Sequence, residues 1–363
     1  MQTIKAAVCR EFNAPLVIEE VQLADPKMGE VEVTLDAVAI CHSDISYAGG
    51  AWGGNLPAVY GHEAAGVITA TGEGSGDFKI GDPVVVTLIR ACGSCPSCAS
   101  GTPTICETPY NTAKGPLRTA DGEPLDQGMA CGAFAEKVVV SHRQIVKIPK
   151  TMAKDVASLL SCGVITGVGA VVNAAQLRPG QDVVVIGAGG VGLNAIQGAR
   201  IAGARRIVAV DMIEDKLEVA KEFGATHGVL ASLDAPWKAA YKALGGRGAD
   251  AVLVTVGAIP AYEQATRYLG PGGKAIMIGM PHSGATASYE PVIMAAVGQG
   301  LIGSKMGDVV IQRDIPWMID LYEQGRLKLD ELISGRWELD QINEAIADTK
   351  TGSAKRNVIL FNR

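Results

Sequence analysis

The chain has no excess of basic charge. Its formal net charge is −6, which gives no electrostatic reason to expect nucleic acid or an anionic membrane as partner. The opening residues, MQTIKAAVCREF, carry neither a long apolar run nor a small-residue cleavage site, so no signal peptide is expected. The 45 glycines follow no fixed repeat, and hydrophobic residues make up 48% of the chain; collagen-like and disordered classes are excluded. Long uncharged runs are scarce too. Residues 156–177 form one, with Gly163 and Gly167 in a GxxxG, and its length would suit a spanning helix. It is rich in Gly, Ala, Ser, Thr and Asn, and nothing else in the chain resembles a span, so a membrane is not expected. The expected location is the cytoplasm.

At 363 residues the chain exceeds what one hydrophobic core serves, and two domains are expected. Eight cysteines without a leader point to metal or redox chemistry rather than a disulfide scaffold. Up to about residue 150, short runs such as IKAAVCR, GEVEVTLDAVAI and GDPVVVTLI alternate with Gly, Pro and Asp breaks, which reads as a compact, partly closed β-domain. Motifs interrupting it therefore sit on loops. The first is Cys41-His42-Ser43-Asp44 and the second Gly61-His62-Glu63. Taken singly, Cys41 or His62 reads more readily as a core residue than as a ligand. The third is stronger. Cys92, Cys95, Cys98 and Cys106 place four soft thiolates within fifteen residues, enough to close a tetrahedral shell around Zn²⁺. An iron–sulfur cluster is the chemical rival, but the neighbouring motifs favour a redox-inert metal. A shell filled by protein leaves no place for substrate, so this metal is structural.

Beyond residue 163 the pattern becomes strand and helix in alternation. DVVVIG, RRIVAVD, DAVLVTVG and GKAIMIGM read as strands, with helix-like GGVGLNAIQGARIAG and EDKLEVAKEFG between, which implies a parallel, doubly wound sheet. Gly187, Gly189 and Gly192 form G-x-G-x-x-G after a strand and at a helix start, and Asp211 follows nineteen residues on. Gly187 permits the tight turn, Gly189 lets a pyrophosphate reach the backbone, and Gly192 lets helix and strand pack closely. The helix N-terminus offers unpaired N–H groups to the phosphates. Asp211 suits the ribose hydroxyls of NAD and repels a 2′-phosphate. The last sixty residues hold no second nucleotide motif and are expected to return to the first domain.

The ordered set Cys41-His42-Ser43-Asp44, Gly61-His62-Glu63, the four-cysteine lobe, Leu160-Ser161-Cys162-Gly163, Gly187-Ala-Gly-Gly-Val-Gly192 and Asp211 resembles the zinc-dependent medium-chain alcohol dehydrogenases, within the medium-chain dehydrogenase/reductase superfamily. The likeness runs over essentially the whole chain. It implies an α/β protein with a GroES-like β-rich catalytic domain at 1–163, carrying a structural zinc lobe at about 90–110. A Rossmann-type doubly wound parallel sheet at 164–302 would bind NAD, and 303–363 would return to the catalytic domain. By the same resemblance Cys41, His62 and Cys162 hold a catalytic zinc, making two Zn²⁺ per chain, and the reaction passes through an alkoxide that gives hydride to NAD. Glu63 would be an acid near the metal, Asp44 would fix the tautomer of His62, and Ser43 would relay the alcohol proton. Ser46 stands where many members have a histidine, so solvent water is the expected terminal acceptor.

The resemblance also assigns cofactor contacts to His42, Thr166, Gly190, Val191, Lys216 and Arg356. His42 and Arg356 would touch the pyrophosphate, Lys216 the ribose, and Thr166 and Val191 the nicotinamide. Trp52, Leu88 and Met280 would line an apolar cleft for an alkyl, allylic or aryl alcohol. The expected partners are a small alcohol or aldehyde and further copies of the chain, as a homodimer or homotetramer. Two rivals share these motifs: a dehydrogenase of a thiol–formaldehyde adduct, and a non-catalytic NAD(H)-binding relative. Polyol dehydrogenases usually hold their metal with Cys, His and Glu, and Cys162 counts against that choice.

Overall fold

In the computed structural model, which describes residues 1–110 and 114–362, the runs of β-branched residues become short strands cut by Gly, Pro and Asp. They are β1 (Gln2–Cys9), β2 (Val17–Leu23), β3 (Glu30–Ala39), β4 (Ala58–Val59), β5 (Glu63–Thr71), β6 (Pro83–Val86), β7 (Leu117–Arg118), β8 (Asp126–Gln127), β9 (Lys137–Ser141) and β10 (Ile145–Lys147), with helix α1 (His42–Ala48) between β3 and β4. One sheet runs β7-β2-β1-β4-β8, and a second carries β10, β6, β5 and β3 in that order, with β9 also paired to β3. Their inward faces are apolar. Leu23, Leu35, Ile68, Leu117 and Phe134 are buried in one continuous core, at roughly 1.5–3 kcal/mol of transfer free energy for each large side chain. These elements belong to a first compact unit made of Met1–Cys162, Val310–Tyr322 and Leu329–Arg363.

The second unit comprises Gly163–Val309 and Glu323–Lys328. Its strands are β11 (Asp182–Ile186), β12 (Arg206–Asp211), β13 (His227–Leu230), β14 (Ala249–Val254), β15 (Leu269–Met277) and β16 (Gly300–Gly303). They pair in parallel in the order β13-β12-β11-β14-β15-β16. Every residue of β11, DVVVI, is buried, as a parallel strand with both faces covered requires. The strand order reverses between β11 and β14, which is where an open α/β sheet binds its ligand. The protein is thus an α/β chain with a GroES-like β-rich unit and a Rossmann-type parallel sheet.

The tail is less simple than expected. Val310–Tyr322 and Leu329–Arg363 go with the first unit, but Glu323–Lys328 stay with the second. Hydrogen bonds account for this detour. Gln197 donates to the Lys328 carbonyl at 3.0 Å and accepts from its N–H at 2.8 Å, while Arg200 holds the Arg326 carbonyl at 2.6 Å. The tail then supplies β17 (Ile333–Glu338) and β18 (Arg356–Leu360), and β18 lies antiparallel to β3. The uncharged stretch 156–177 is broken at Cys162 into short, largely buried helical pieces. Among the described residues no single helix is long and apolar enough to cross a membrane.

Candidate active site

Strand register builds the centre of the first unit. On β3, Ala39 is opposite Glu63 of β5 on one side and Val358 of β18 on the other. Cys41, two residues past β3, therefore meets His62 and Glu63 at the start of β5 and Arg356 at the start of β18. A hydrogen bond of 2.9 Å from the Ile40 N–H to the Asn357 carbonyl closes this edge. Cys162 arrives from a separate 3₁₀ turn that Ser161 anchors by donating its hydroxyl to the Ala64 carbonyl at 3.1 Å. Ligand atoms of Cys41, His62, Glu63 and Cys162 then all lie within 4.8 Å of one another, and all four residues are buried.

Asp44 organises this group. Its carboxylate accepts from the Cys41 N–H at 3.1 Å, from the Gly61 N–H at 2.9 Å, and meets His62 Nδ1 at 2.8 Å. Nδ1 is thereby occupied, and His62 Nε2 is left buried with no hydrogen-bond partner. A buried, orphaned imidazole nitrogen beside two sulfurs suits a metal ion. Burial alone would depress the His62 imidazolium, yet Asp44 and then Cys41 hold it well above the usual histidine value. The hydrogen bond between the sulfurs holds Cys41 well below the usual thiol value against burial, and pushes Cys162 well above it. Burial raises Glu63 to about 7 despite the opposing charge of Arg356.

Arg356, which the resemblance assigns to the pyrophosphate, is buried at 6% exposure in an ion pair with Glu63, among the candidate ligand residues. The register of β18 against β3 is the cause. Ser43 is half-buried on α1 and His42 is exposed beside it. Trp52 and Leu88 are partly buried in the first unit, and Leu88 packs on its core. Met280 is 60% exposed on the second unit.

The cysteine lobe forms a second group. The sulfurs of Cys92, Cys95, Cys98 and Cys106 lie within 4.8 Å of one another, with Cys92–Cys98 and Cys95–Cys106 both at 3.9 Å. Four sulfurs at about 2.3 Å from one zinc ion would be separated by about 3.8 Å, so the lobe fits that ion. Backbone N–H groups of Ser94, Cys95 and Glu107 point at the sulfurs. The Thr108 hydroxyl and two of these amides hold Cys92 at about 5.

In the second unit the helix Gly190–Ile201 opens at Gly189, which has no side-chain cap, so its first N–H groups face outward. A Cβ at Gly189 would meet nothing within 4 Å, whereas one at Gly192 would lie 1.8 Å from the Gly187 carbonyl oxygen. One glycine leaves room above the loop and the other allows close approach beneath it. Gly190 and Val191 form the helix's first turn. Asp211 ends β12, its carboxylate accepting from the Ala188 N–H at 2.7 Å and the Ile213 N–H at 3.1 Å. Thr166 is buried with its hydroxyl 3.7 Å from the Met306 sulfur, and Lys216 is half-buried on the helix Glu214–Phe223.

Sequence reasoning missed two residues beside the ligands, Tyr47 and Tyr60. Their rings stack at 6.0 Å, and Tyr47 meets Trp52 edge-on at 4.9 Å. The available signal was position. Tyr47 lies one helical turn after Asp44 and Tyr60 directly precedes Gly61-His62.

Residues 27–150 match the family described as "Alcohol dehydrogenase GroES-like domain", and residues 190–324 match "Zinc-binding dehydrogenase". The chain belongs to the zinc-dependent medium-chain alcohol dehydrogenase family and is an oxidoreductase. It is 33% identical to Alcohol dehydrogenase B of Mycobacterium tuberculosis over 98% of both chains. It is also 33% identical to S-(hydroxymethyl)glutathione dehydrogenase of Paracoccus denitrificans, over 98% of this chain and 99% of that one. Among solved structures, benzyl alcohol dehydrogenase of Acinetobacter calcoaceticus superposes with a TM-score of 0.93 at 30% identity, with 100% of each chain covered.

Proposed function

We propose that this protein interconverts an alcohol and its aldehyde or ketone, passing hydride to NAD, with one catalytic and one structural zinc ion per chain. The observation that carries the reading is the buried set of Cys41, His62 and Cys162, whose ligand atoms lie within 4.8 Å of one another while His62 Nε2 has no partner. Two thiolates and one imidazole make three ligands and leave a fourth position open, the pattern of a catalytic rather than a structural site. Zinc held there would supply Lewis acidity, bringing an alcohol hydroxyl toward ionisation near neutral pH. Two thiolates balance the metal's charge, and the ion pair of Glu63 with Arg356 adds none.

Asp44 holds His62 in the tautomer that leaves Nε2 free to ligate. For Ser43, on the first turn of α1, we propose the relay of the alcohol proton, since a serine hydroxyl relays protons but is too weak a base to keep one. With Ser46 next along the helix in place of an imidazole, water is the outlet we propose. The open space over Gly189 and the uncapped helix start support a pyrophosphate cradle, and Asp211 supports NAD over NADP. His42, exposed beside Cys41, is our candidate for an additional pyrophosphate contact; for Lys216 we propose the ribose, and for Thr166 and Val191 the nicotinamide.

Homo-oligomerisation is supported by an unpaired edge. Strand β16 ends its sheet, and the apolar helix Pro291–Val297 beside it in sequence has no buried residue, with Val292 72% and Ile293 48% exposed. A second copy pairing at this edge would cover both. Six of the eight cysteines fall in the two candidate metal-ligand groups, and for such thiolates we propose a reducing compartment, the cytoplasm.

A second reading, oxidation of a thiol–formaldehyde adduct, is favoured by the likeness to the Paracoccus denitrificans enzyme. The decisive experiment combines metal analysis with NADH formation from benzyl alcohol, hexanol and glutathione plus formaldehyde. About two zinc per chain and turnover of an alcohol alone support the proposal. Turnover of the adduct alone selects the second reading, and about one zinc with no turnover leaves a non-catalytic NAD(H)-binding protein.

A further inference from the structure

We infer that Gln127 is a positioning residue for His62, oriented by Tyr110 from the foot of the four-cysteine lobe; the inference rests on the zinc reading above. His62 directly follows Gly61, and Gly61 is gripped through both of its backbone groups. Its N–H donates to Asp44 at 2.9 Å, and its carbonyl accepts from the Ala133 N–H at 2.9 Å. The Tyr60 carbonyl accepts in turn from the Phe134 N–H at 2.8 Å. No side chain would fit between these segments. A Cβ at Gly61 would lie 2.5 Å from the Phe134 nitrogen, and one at Gly128 would lie 2.4 Å from the Tyr60 ring. Where the imidazole starts is therefore set by residues 128–134.

That segment needs outside support to keep its shape. Met129 and Ala130 are consecutive left-handed residues, with φ of 52° and 56°, and residues other than glycine stay in that region only where their surroundings force it. Two buried side-chain amides supply the constraint. Gln144, 1% exposed, donates to the Ala130 carbonyl at 3.0 Å and to the Thr87 carbonyl at 3.1 Å. Gln127, 2% exposed, donates to the Cys131 carbonyl at 2.9 Å and to the Val139 carbonyl at 3.0 Å, which bridges the segment to β9. Both carbonyls demand donors, so the Gln127 oxygen is left as an acceptor, and the Tyr110 hydroxyl donates to it. Tyr110 lies four residues after Cys106, and Arg90, two before Cys92, sets its guanidinium 4.7 Å from the Tyr110 ring. Both ends of the cysteine lobe thus close on Tyr110. The chain of contacts then runs through Gln127 and residues 128–134 to the Gly61 carbonyl and His62.

The test measures the affinity of each zinc ion, by competition with a chromogenic chelator, in wild type, Gln127→Met, Tyr110→Phe and Val31→Ala. Gln127→Met keeps the length of the side chain and removes both donors. It should weaken one ion about ten-fold or more, as loss of an outer partner does at metal sites, and leave the other within about two-fold. In a Cys162→Ala background, where the weakened ion has already lost a ligand, Gln127→Met should leave the remaining ion within about two-fold. Tyr110→Phe should weaken the same ion as Gln127→Met by about two- to ten-fold, the worth of one hydrogen bond. It keeps the test decisive should Gln127→Met fail to fold. Val31→Ala opens a cavity in the same core at the other end of β3 from Cys41, and both ions should stay within about two-fold. Wild-type affinities in Gln127→Met or Tyr110→Phe would overturn the inference. So would an equal weakening in Val31→Ala, which would make the role of Gln127 merely structural. Wild type that holds fewer than about two zinc ions would remove the zinc reading and this inference together.

Discussion

Two glycines five residues or fewer from Gly187 separate stability from cofactor binding. At Gly192 an added Cβ would sit 1.8 Å from the Gly187 carbonyl oxygen, far inside any ordinary carbon–oxygen contact. Both partners are backbone, so neither can turn aside as a side chain would. Gly192→Ala gains about 1 kcal/mol of helix propensity, but overpacking against unyielding backbone falls at the upper end of its range, about 2–3 kcal/mol or more. The expected net is a loss of about 1–2 kcal/mol, or about 2–8 °C in apparent Tm for a unit of this size. At Gly189 the added methyl meets nothing within 4 Å, and the residue's φ of −81° is open to any amino acid. Loss of a good N-cap and the reduced freedom of the unfolded chain nearly offset one another there, each at about 0.5–1 kcal/mol. Gly189→Ala should therefore keep its Tm within about 2 °C. Its methyl would occupy the space through which a pyrophosphate approaches the helix start, and NADH affinity should fall at least about ten-fold, a loss of about 1.4 kcal/mol. Thermal unfolding followed by circular dichroism and titration of NADH fluorescence measure the two quantities in the same preparations. Wild-type NADH affinity in Gly189→Ala would refute the placement of the phosphates. An unchanged Tm in Gly192→Ala would refute the claim that this approach is rigid.

Cys162→Ala should lose one of two zinc ions and all alcohol oxidation while NADH affinity stays within about three-fold, as read by metal analysis and fluorescence titration. Asp44→Asn turns an acceptor of three groups partly into a donor facing donors; unmatched buried donors at about 1–3 kcal/mol each give a loss of about 2–5 kcal/mol. Urea unfolding and zinc content should both register it, and full zinc at unchanged stability would contradict the bridging role. Asp211→Gly should shift the ratio of kcat/KM for NAD over NADP by about 10- to 100-fold toward NADP, the value of losing hydrogen bonds to a charged group together with its repulsion of a 2′-phosphate.

The two groups of candidate metal-ligand residues could be named from the sequence because most of their members sit in short motifs. Cys41 to Asp44, Gly61 to Glu63 and the four-cysteine lobe each occupy one short stretch of chain, so spacing alone carries chemical information, although the structure puts His42 to Asp44 on α1 and Glu63 on β5 rather than on the expected loops. The parallel sheet was legible from its alternating strand and helix patterns. The ion pair of Arg356 with Glu63 was not legible, because it depends on the register of β18 against β3, which no local pattern states. The stack of Tyr47 and Tyr60 went unseen for a similar reason. It forms only after Asp44 has joined two segments whose apolar residues look like any others. The detour of Glu323–Lys328 into the second unit depends on Gln197 and Arg200 capturing backbone carbonyls, and surface-like residues in a helix pattern announce nothing of the kind.

The position of β18 also sets a timetable. Roughly 290 residues separate Glu63 from the arginine that pairs with it, and at about 5–20 residues per second a ribosome needs about 15–60 s to make them. Cys41, His62 and Cys162 have all left the ribosome before Arg356 exists. Throughout that interval the last three residues of β3, Ala37 to Ala39, lack their partner strand on one side, the kind of edge on which nascent chains associate wrongly. The buried carboxyl of Glu63 likewise waits for its counter-charge. Completion of this centre therefore waits for the last residues of the chain, after the entire parallel sheet of the second unit has been made.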